Sequence, residues 1–316
     1  MAQPTLQSVQ AIDPVLTNLA IGYMQDESRF IASKLFPYVP IDKANGTYYS
    51  FDKKYWFTDE MKERVPGTNF ARTGYGLSTG TVKTIQWALE HAIPDEIREN
   101  SQVPMDLEEA GTRFIAQKNL LRMEIQFSGD VFANSVWGTT DNAATAKWNN
   151  YTTSDPVTDV LKAKRTIANN TGMDGNTMAL GYFVHQSLMN HPDIIDRVKY
   201  TQMATASNME NAMASLFGFD NYYVGKATYT NTNEATAFSA SSIIGNNALI
   251  AYVAGGPGIF TASAGYMFTW QPGGGQGTVY RVRDDQRHAD LIQLACQWQD
   301  KVVATDCGYL YLTVVS

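Results

Sequence analysis

Four histidines, two cysteines and a few adjacent carboxylates are the side chains of this chain best suited to chemistry. A metalloprotease-type zinc site needs two histidines at i and i+4 on one helix face. His91, His185, His191 and His288 show no such spacing. His185 and His191 are six apart, off a common helix face, so surface or capping roles are expected. Ser263 lies in TASAG, which lacks the first glycine of a nucleophile elbow. Cys296 falls in an alternating apolar run and reads as a small core residue, and a disulfide to Cys307 is open but unforced. QPGGGQG (271–277) invites a phosphate, yet no Lys-Ser/Thr follows and the next segment reads as strand, so a flexible exposed loop is expected. VGKAT (224–228) lacks the upstream glycine of a P-loop. Neighbouring carboxylates such as Glu108-Glu109 and Asp284-Asp285 diverge on a helix or strand. The enzymatic alternative is a hydrolase using carboxylates such as Asp284, Asp285 or Glu210. The spacing brings together no catalytic set, cofactor site or metal site. It favours a structural or interaction protein over an enzyme.

Bulk properties narrow the class. The chain has 316 residues, 44% of them hydrophobic and 12% aromatic, enough to bury a sizeable core. Its net charge is −7, with Lys and Arg scattered rather than blocked. Nucleic-acid binding needs a clustered basic footprint, so only weak, non-specific contact with DNA is expected. No window approaches about 18 uninterrupted apolar residues, and no membrane span is expected. MAQPTLQSVQAIDPVL does not read as a signal peptide, and two cysteines fit synthesis in a reducing cytoplasm.

The elements that would position these residues follow from periodicity. Val15, Leu16, Leu19, Ala20 and Tyr23 form a short helical stripe, and Phe30, Ile31, Leu35 and Phe36 a second, stopped by Pro37 and Pro40. From Gly46 the period becomes two, continuing to Tyr55, Trp56 and Phe57. Ile85, Trp87 and Leu89 repeat it on the far side of a polar stretch. The spacing predicts a long two-stranded arm with its tip near Pro66-Gly67. A lone two-stranded hairpin is marginal in water, so the arm needs a surface, best supplied by a neighbouring copy. Asp106 and Glu109 resemble a capping box for a helix from about Met105 to Ser135, roughly 45 Å long. Its expected stripe is Leu107, Ala110, Phe114, Leu121, Ile125, Phe132 and Val136. Asp155-Pro156 opens another helix with Gly172 as C-cap, Val157, Val160, Leu161 and Ile167 inward and Lys162, Lys164 and Arg165 solvated. Met178–Val184 reads as a buried strand and His185 to about Met203 as helix broken at Pro192. Strands are expected at Tyr222–Tyr229, Ala248–Ala254, Ile292–Trp298 and Tyr309–Val315. The whole is α+β.

That order of elements resembles the major capsid protein of tailed bacteriophages, a shell fold shared with encapsulins and the herpesvirus capsid floor. IGYMQDESRFIASKLFPYVPI (21–41) resembles the arm leading into the extended loop. GTYYSFDKKYWF (46–57) and TVKTIQWALEHAIPDE (81–96) resemble the loop strands. Residues 157–199 resemble the start of the axial domain, and DKVVATDCGYLYLTVV (300–315) the last strands. The resemblance implies an N-terminal arm (1–40), an extended loop (41–98) and a peripheral domain with a long spine helix (99–151). An axial domain (152–275) and returning peripheral strands (276–316) would follow. It implies a non-enzymatic subunit without cofactor, self-assembling as hexamers and pentamers into the icosahedral capsid of a virion built in the host cytoplasm. A separate scaffolding protein, a portal and a decoration protein are the implied partners. An encapsulin-like cellular compartment shell is the structural alternative. Candidate subunit-interface residues are Phe30, Leu35 and Phe36 on the arm, Trp56 and Phe57 on the loop, and Arg64 and Arg72 near its tip. Some family members cross-link a loop lysine to a C-terminal asparagine. Lys62 or Lys83 would serve, but no asparagine follows Asn247, so no cross-link is expected, and no large cleaved prodomain either.

Overall fold

The strand Ala289–Val302 is the axis on which half of the molecule is built. The computed structural model describes residues 24–100, 106–141, 146–198, 209–232, 237–258 and 260–316. The helical stripe at Val15–Tyr23 and the helix beyond Val198 lie outside the described residues. In chain order the strands are β1 (Tyr38–Pro40), β2 (Asn45–Phe51), β3 (Leu77–Lys83), β4 (Ile85–Pro94), β5 (Thr139–Asp141), β6 (Thr177–Gly181) and β7 (Asn221–Gly225). They continue with β8 (Thr228–Tyr229), β9 (Ser241–Ser242), β10 (Ala248–Ala251), β11 (Gly265–Thr269), β12 (Thr278–Asp284), β13 (Ala289–Val302) and β14 (Gly308–Tyr311).

β13 pairs antiparallel with β4 over its first ten residues, from Ala289↔Pro94 to Trp298↔Ile85. It also pairs antiparallel with β12 and, further along, with β11, which carries β1 in parallel. The second five-stranded sheet runs β5-β14-β10-β6-β7. Both of its faces are covered, and its alternation shows how. Met178, Leu180, Ile250, Tyr309 and Tyr311 pack under a layer of helices. Ala179, Leu249, Ala251 and Leu310 point the other way, into a cluster with Phe36, Phe127 and Trp298. A strand buried on both sides gains from apolar residues at every position, which is why MALG, ALIA and YLY read as unbroken apolar runs.

The spine helix spans Leu107–Val131, 25 residues, with the Asp106 side chain accepting from Glu108 N–H as N-cap. At 1.5 Å rise this is about 37 Å, shorter at both ends than the sequence suggests. Its buried side is also rotated by about one residue: Gly111, Ile115, Met123, Glu124, Phe127 and Val131 face inward, and Phe114 is exposed. Of the expected stripe Phe132 is buried and Leu107 and Val136 pack against the core, while Leu121 and Ile125 are only half-buried. The buried side also carries a charged residue, Glu124, which pattern reading never assigns. The helix Pro156–Thr171 forms where Asp155-Pro156 and Gly172 place it. Asp155 accepts from Thr158 N–H, and Gly172 closes it at φ +71°. Val157, Val160 and Ile167 are buried as expected, whereas Leu161 is exposed.

Three further expectations are corrected. Val184 belongs to the helix Tyr182–Met189, because the strand ends at Gly181. QPGGGQG is not a loose loop. Gly273, Gly274 and Gly275 are buried against β13, where Gln297 N–H donates to Gly275 O. Gly274 sits at φ +106°, and a Cβ there would come within 2.3 Å of Ala295 O. Glycine is needed because the turn lies flat on a strand. Finally, His185 is buried rather than on the surface, whereas His191, also buried, takes the expected capping role by accepting from Asp193 N–H at the start of the helix Pro192–Val198.

Candidate assembly surface

The extended loop is where the chain leaves its own core. β2 and β3 pair antiparallel from Asn45↔Lys83 to Phe51↔Leu77. The strand does not continue to Phe57: Asp52 caps a helical turn, Lys53–Phe57, by accepting from Lys54 N–H. Nor does the segment after Thr84 belong to the arm, since Ile85–Pro94 is β4 of the main sheet. The arm is therefore shorter than the periodicity implies. A period of two reveals a strand but not its partner.

The inner half of the hairpin is seated on the body. Tyr48 lies across Gly80 of the facing strand, where a Cβ would come within 2.2 Å of its ring, and stacks on Phe268 at 6.4 Å. Val82, Tyr266 and Phe268 complete this small core. The outer half differs. Residues 52–75 are exposed without exception. They include seven large apolar side chains: Tyr55, Trp56, Phe57, Met61, Val65, Phe70 and Tyr75. Single exposed apolar residues are ordinary, and it is seven of them within one fully exposed segment that make this loop the candidate surface for association.

Local geometry shapes that surface. Thr68 N–H donates to Val65 O around Pro66-Gly67, with Gly67 at φ +88°. Proline followed by a left-handed glycine is the signature of a type II turn, so the tip falls where the sequence places it. Arg64 Nε donates to Thr68 O at 2.8 Å, and its guanidinium lies 4.3 Å from the Phe70 ring centroid. At the neck of the loop, Phe51 meets Trp56, Tyr75 and Phe260 at centroid distances of 6.0, 5.8 and 5.0 Å. Phe57 lies over Gly172, and Lys53 pairs with Asp306. Phe260 adopts φ +66°, a left-handed conformation that costs a bulky residue about 1–3 kcal/mol and points to a functional position.

Of the interface candidates, Trp56 and Phe57 are exposed on this surface, with Arg64 and Arg72 in its outer part. Phe30, Leu35 and Phe36 are not on it. They are 3%, 1% and 0% exposed in their own chain, Leu35 and Phe36 within the cluster of Phe127, Met267 and Trp298. The short helix Ala32–Leu35, which carries Leu35 and lies between Phe30 and Phe36, is capped from outside the arm. The carboxylate of Glu124, on the spine helix, accepts from Ile31 N–H at 3.0 Å and Ala32 N–H at 2.9 Å. Sequence reasoning missed Glu124. The sole signal is a charged residue flanked by Met123 and Ile125 at helical spacing from Phe127. Gln25 adds a second clamp, its amide donating to Thr228 O and accepting from Thr228 N–H.

Elsewhere the geometry is structural. Ser154, His191 and Asp193 look like a catalytic triad, with Ser154 Oγ 3.1 Å from His191 Nε2 and an Asp193 oxygen 3.6 Å from Nδ1. The proton arrangement is wrong. Nδ1 accepts from Asp193 N–H, so Nε2 carries the hydrogen and donates to Ser154, which itself donates to Asn150 O. A histidine in this tautomer cannot take a proton from the serine. The hydrolase candidates are dispersed. Asp284 caps the β12–β13 turn and pairs with Arg287, Asp285 pairs with Arg283, and Glu210 binds Lys226. Arg283 and Arg98 also hold Asp95 and Asp290, keeping both carboxyls below the usual range. Cys296 and Cys307 are buried free thiols. Among the described residues no cluster of three or more His, Cys, Asp or Glu could hold a metal, and no helix is long and apolar enough to cross a membrane.

Comparison with known proteins shows what this architecture is similar to. The family model described as Phage major capsid protein E matches residues 135–265. The major capsid protein of Burkholderia phage BcepMu is 26% identical over 312 residues, covering 96% of this chain and 97% of that protein. Among solved structures, a phage-related protein from Bordetella bronchiseptica RB50 superposes with a TM-score of 0.70 at 25% identity, covering 96% and 97% of the two chains. The capsid of cyanophage P-SCSP1u follows the same fold with a TM-score of 0.64 at 8% identity, covering 98% and 95%. None of these findings favours a cellular compartment shell or a hydrolase. Element order, fold and a relative matched along nearly its whole length agree: the chain is of the phage major capsid protein type, a structural capsid subunit and not an enzyme.

Proposed function

We propose that the subunit closes its shell by laying residues 52–75 of the extended loop over an adjacent copy, within hexamers and pentamers of a tailed-phage capsid. That many copies form a shell follows from the capsid type. The observation that carries the finer reading is the unbroken exposure of this segment together with its seven large apolar side chains. Trp56, Phe57 and Phe70 are the apolar anchors. Arg64 and Arg72 act at the rim, where exposed charges set register more than they add energy. A loop reaching from one subunit onto a different surface of the next is a heterologous contact, which closes into rings when the rotation is right. Assembly would take place in the host cytoplasm around a separate scaffolding protein, start at a portal and accept a decoration protein outside. The domain division 1–40, 41–98, 99–151, 152–275 and 276–316 belongs to the same reading. Net negative charge suits an inner wall that touches packaged DNA only weakly.

Expression of the chain alone and with candidate scaffolding partners, imaged by negative-stain electron microscopy, tests this. Closed shells or uniform rings are expected, and they should disappear on combined Trp56→Ala and Phe70→Ala substitution. A stable monomer under every condition, partners included, would sink the proposal.

A further inference from the structure

Beneath the N-terminal arm lies a pair of carboxyls that the packing alone does not require. Glu124 is 0% exposed and Asp300 is 2% exposed. Glu124 holds the arm by its two backbone bonds to Ile31 and Ala32. Among the described residues no protein donor reaches either oxygen of Asp300. Its position follows from the ladder. Tyr38 of β1 stands opposite Met267 of β11, which stands opposite Asp300 of β13. Tyr38 O–H in turn reaches Met123 Sδ at 3.4 Å, on the residue before Glu124. Asp300 therefore lies under the same stretch of spine helix that clamps the arm. A buried carboxylate with neither a donor nor a cation beside it is unstable and takes up a proton instead.

We propose that a proton held on Asp300 keeps the Glu124 clamp closed, and that losing this proton releases the N-terminal arm from the spine helix. The charged and titratable neighbours allow it. From the spine helix, Asp130 adds negative charge, while Arg122 is turned over the Trp87 ring at 4.0 Å. From β1 and β13 come Tyr38 and Cys296, both with pKa values raised by burial. The cation acting on Glu124 is Lys34 of the arm, which donates to Ser28 O. Burial, then Asp130, then Glu124 push Asp300 up to about 7, and burial pushes Glu124 to about 7 against the pull of its two backbone bonds. Two ionised carboxylates at this junction repel, and the weaker attachment is the arm. Its release would uncover Phe30, Leu35 and Phe36, so that these arm residues become available to a second copy. That last consequence rests on the shell-forming reading; the clamp itself does not.

Hydrogen exchange of residues 30–36 in the unassembled full chain, corrected for the intrinsic rise of exchange with pH, tests the clamp without requiring a shell. Between pH 6 and pH 9 protection is expected to fall at least tenfold. Asp300→Asn, which cannot ionise, should keep protection flat. Asp130→Asn, which removes a nearby negative charge and leaves the clamp in place, should move the fall to lower pH. A pH-independent wild type would overturn the proposal, and so would an Asp300→Asn chain that follows the wild-type curve. Should Asp300→Asn not fold, an unmoved midpoint in Asp130→Asn overturns it as well.

Discussion

The sheet β5-β14-β10-β6-β7 and the loop 52–75 solve opposite problems with similar residues. In the sheet, Met178, Leu180, Leu249, Ile250, Leu310 and Tyr311 are all 0–1% exposed, satisfied on both faces by the chain itself. In the loop, Trp56, Phe57, Met61 and Phe70 are 58–91% exposed, set among polar and charged neighbours. One region spends its hydrophobic surface on folding a subunit, and the other holds it in reserve. A shell protein needs both, because a subunit that buried everything would have nothing left to drive association. The difference makes stability and assembly separable by mutation.

The largest separation should come from the core. Phe127→Ala removes a 0%-exposed ring that meets Phe36 edge-on at 5.2 Å, and a loss of about 3–5 kcal/mol is expected in denaturant unfolding of the unassembled subunit. Gly274→Ala should follow at about 2 kcal/mol or more, since it combines a left-handed φ with a clash against a backbone carbonyl. An unchanged midpoint would mean that the turn can lift off β13. Stability should also fall as pH rises. Glu124 and Asp300 have raised pKa values, so their contribution is complete below about pH 4 and is lost as pH climbs through about 7. Thermal melts from pH 5 to pH 9 check this, and Asp300→Asn should flatten the slope. Removing the Asp155 N-cap by Asp155→Ala should cost about 1 kcal/mol. Smallest in stability is the loop. Trp56→Ala should change subunit unfolding by less than about 0.5 kcal/mol while reducing particle yield at least tenfold by sedimentation. If Trp56→Ala instead unfolds the subunit, the contrast between the two regions fails.

What could be read in advance divides along the same line. Asp155, Pro156 and Gly172 bound a helix to the residue because caps and left-handed glycines act within one turn of chain. Val65-Pro66-Gly67-Thr68 fixed the tip for the same reason. β13 was legible from its alternation, Ile292, Leu294, Cys296 and Trp298 all being buried. The pairing of β2 was not legible, because Leu77–Lys83 has few apolar residues while Ile85–Leu89 alternates strongly. The stronger pattern belonged to the main sheet.

The sequence by itself determined the local vocabulary: where helices start and stop, where the loop turns, which runs are buried on both faces, and that no spacing assembles a catalytic site. It also carried, in the order of its elements, the resemblance to phage capsid proteins. Only the tertiary structure decided that Phe30, Leu35 and Phe36 lie inside their own subunit, that Trp56 and Phe70 lie outside it, and that Glu124 clamps the arm from 93 residues away. The physical reason is that caps and turns are set by neighbours in the chain. Burial and pairing of a charge depend on partners that the chain brings together only once it has folded.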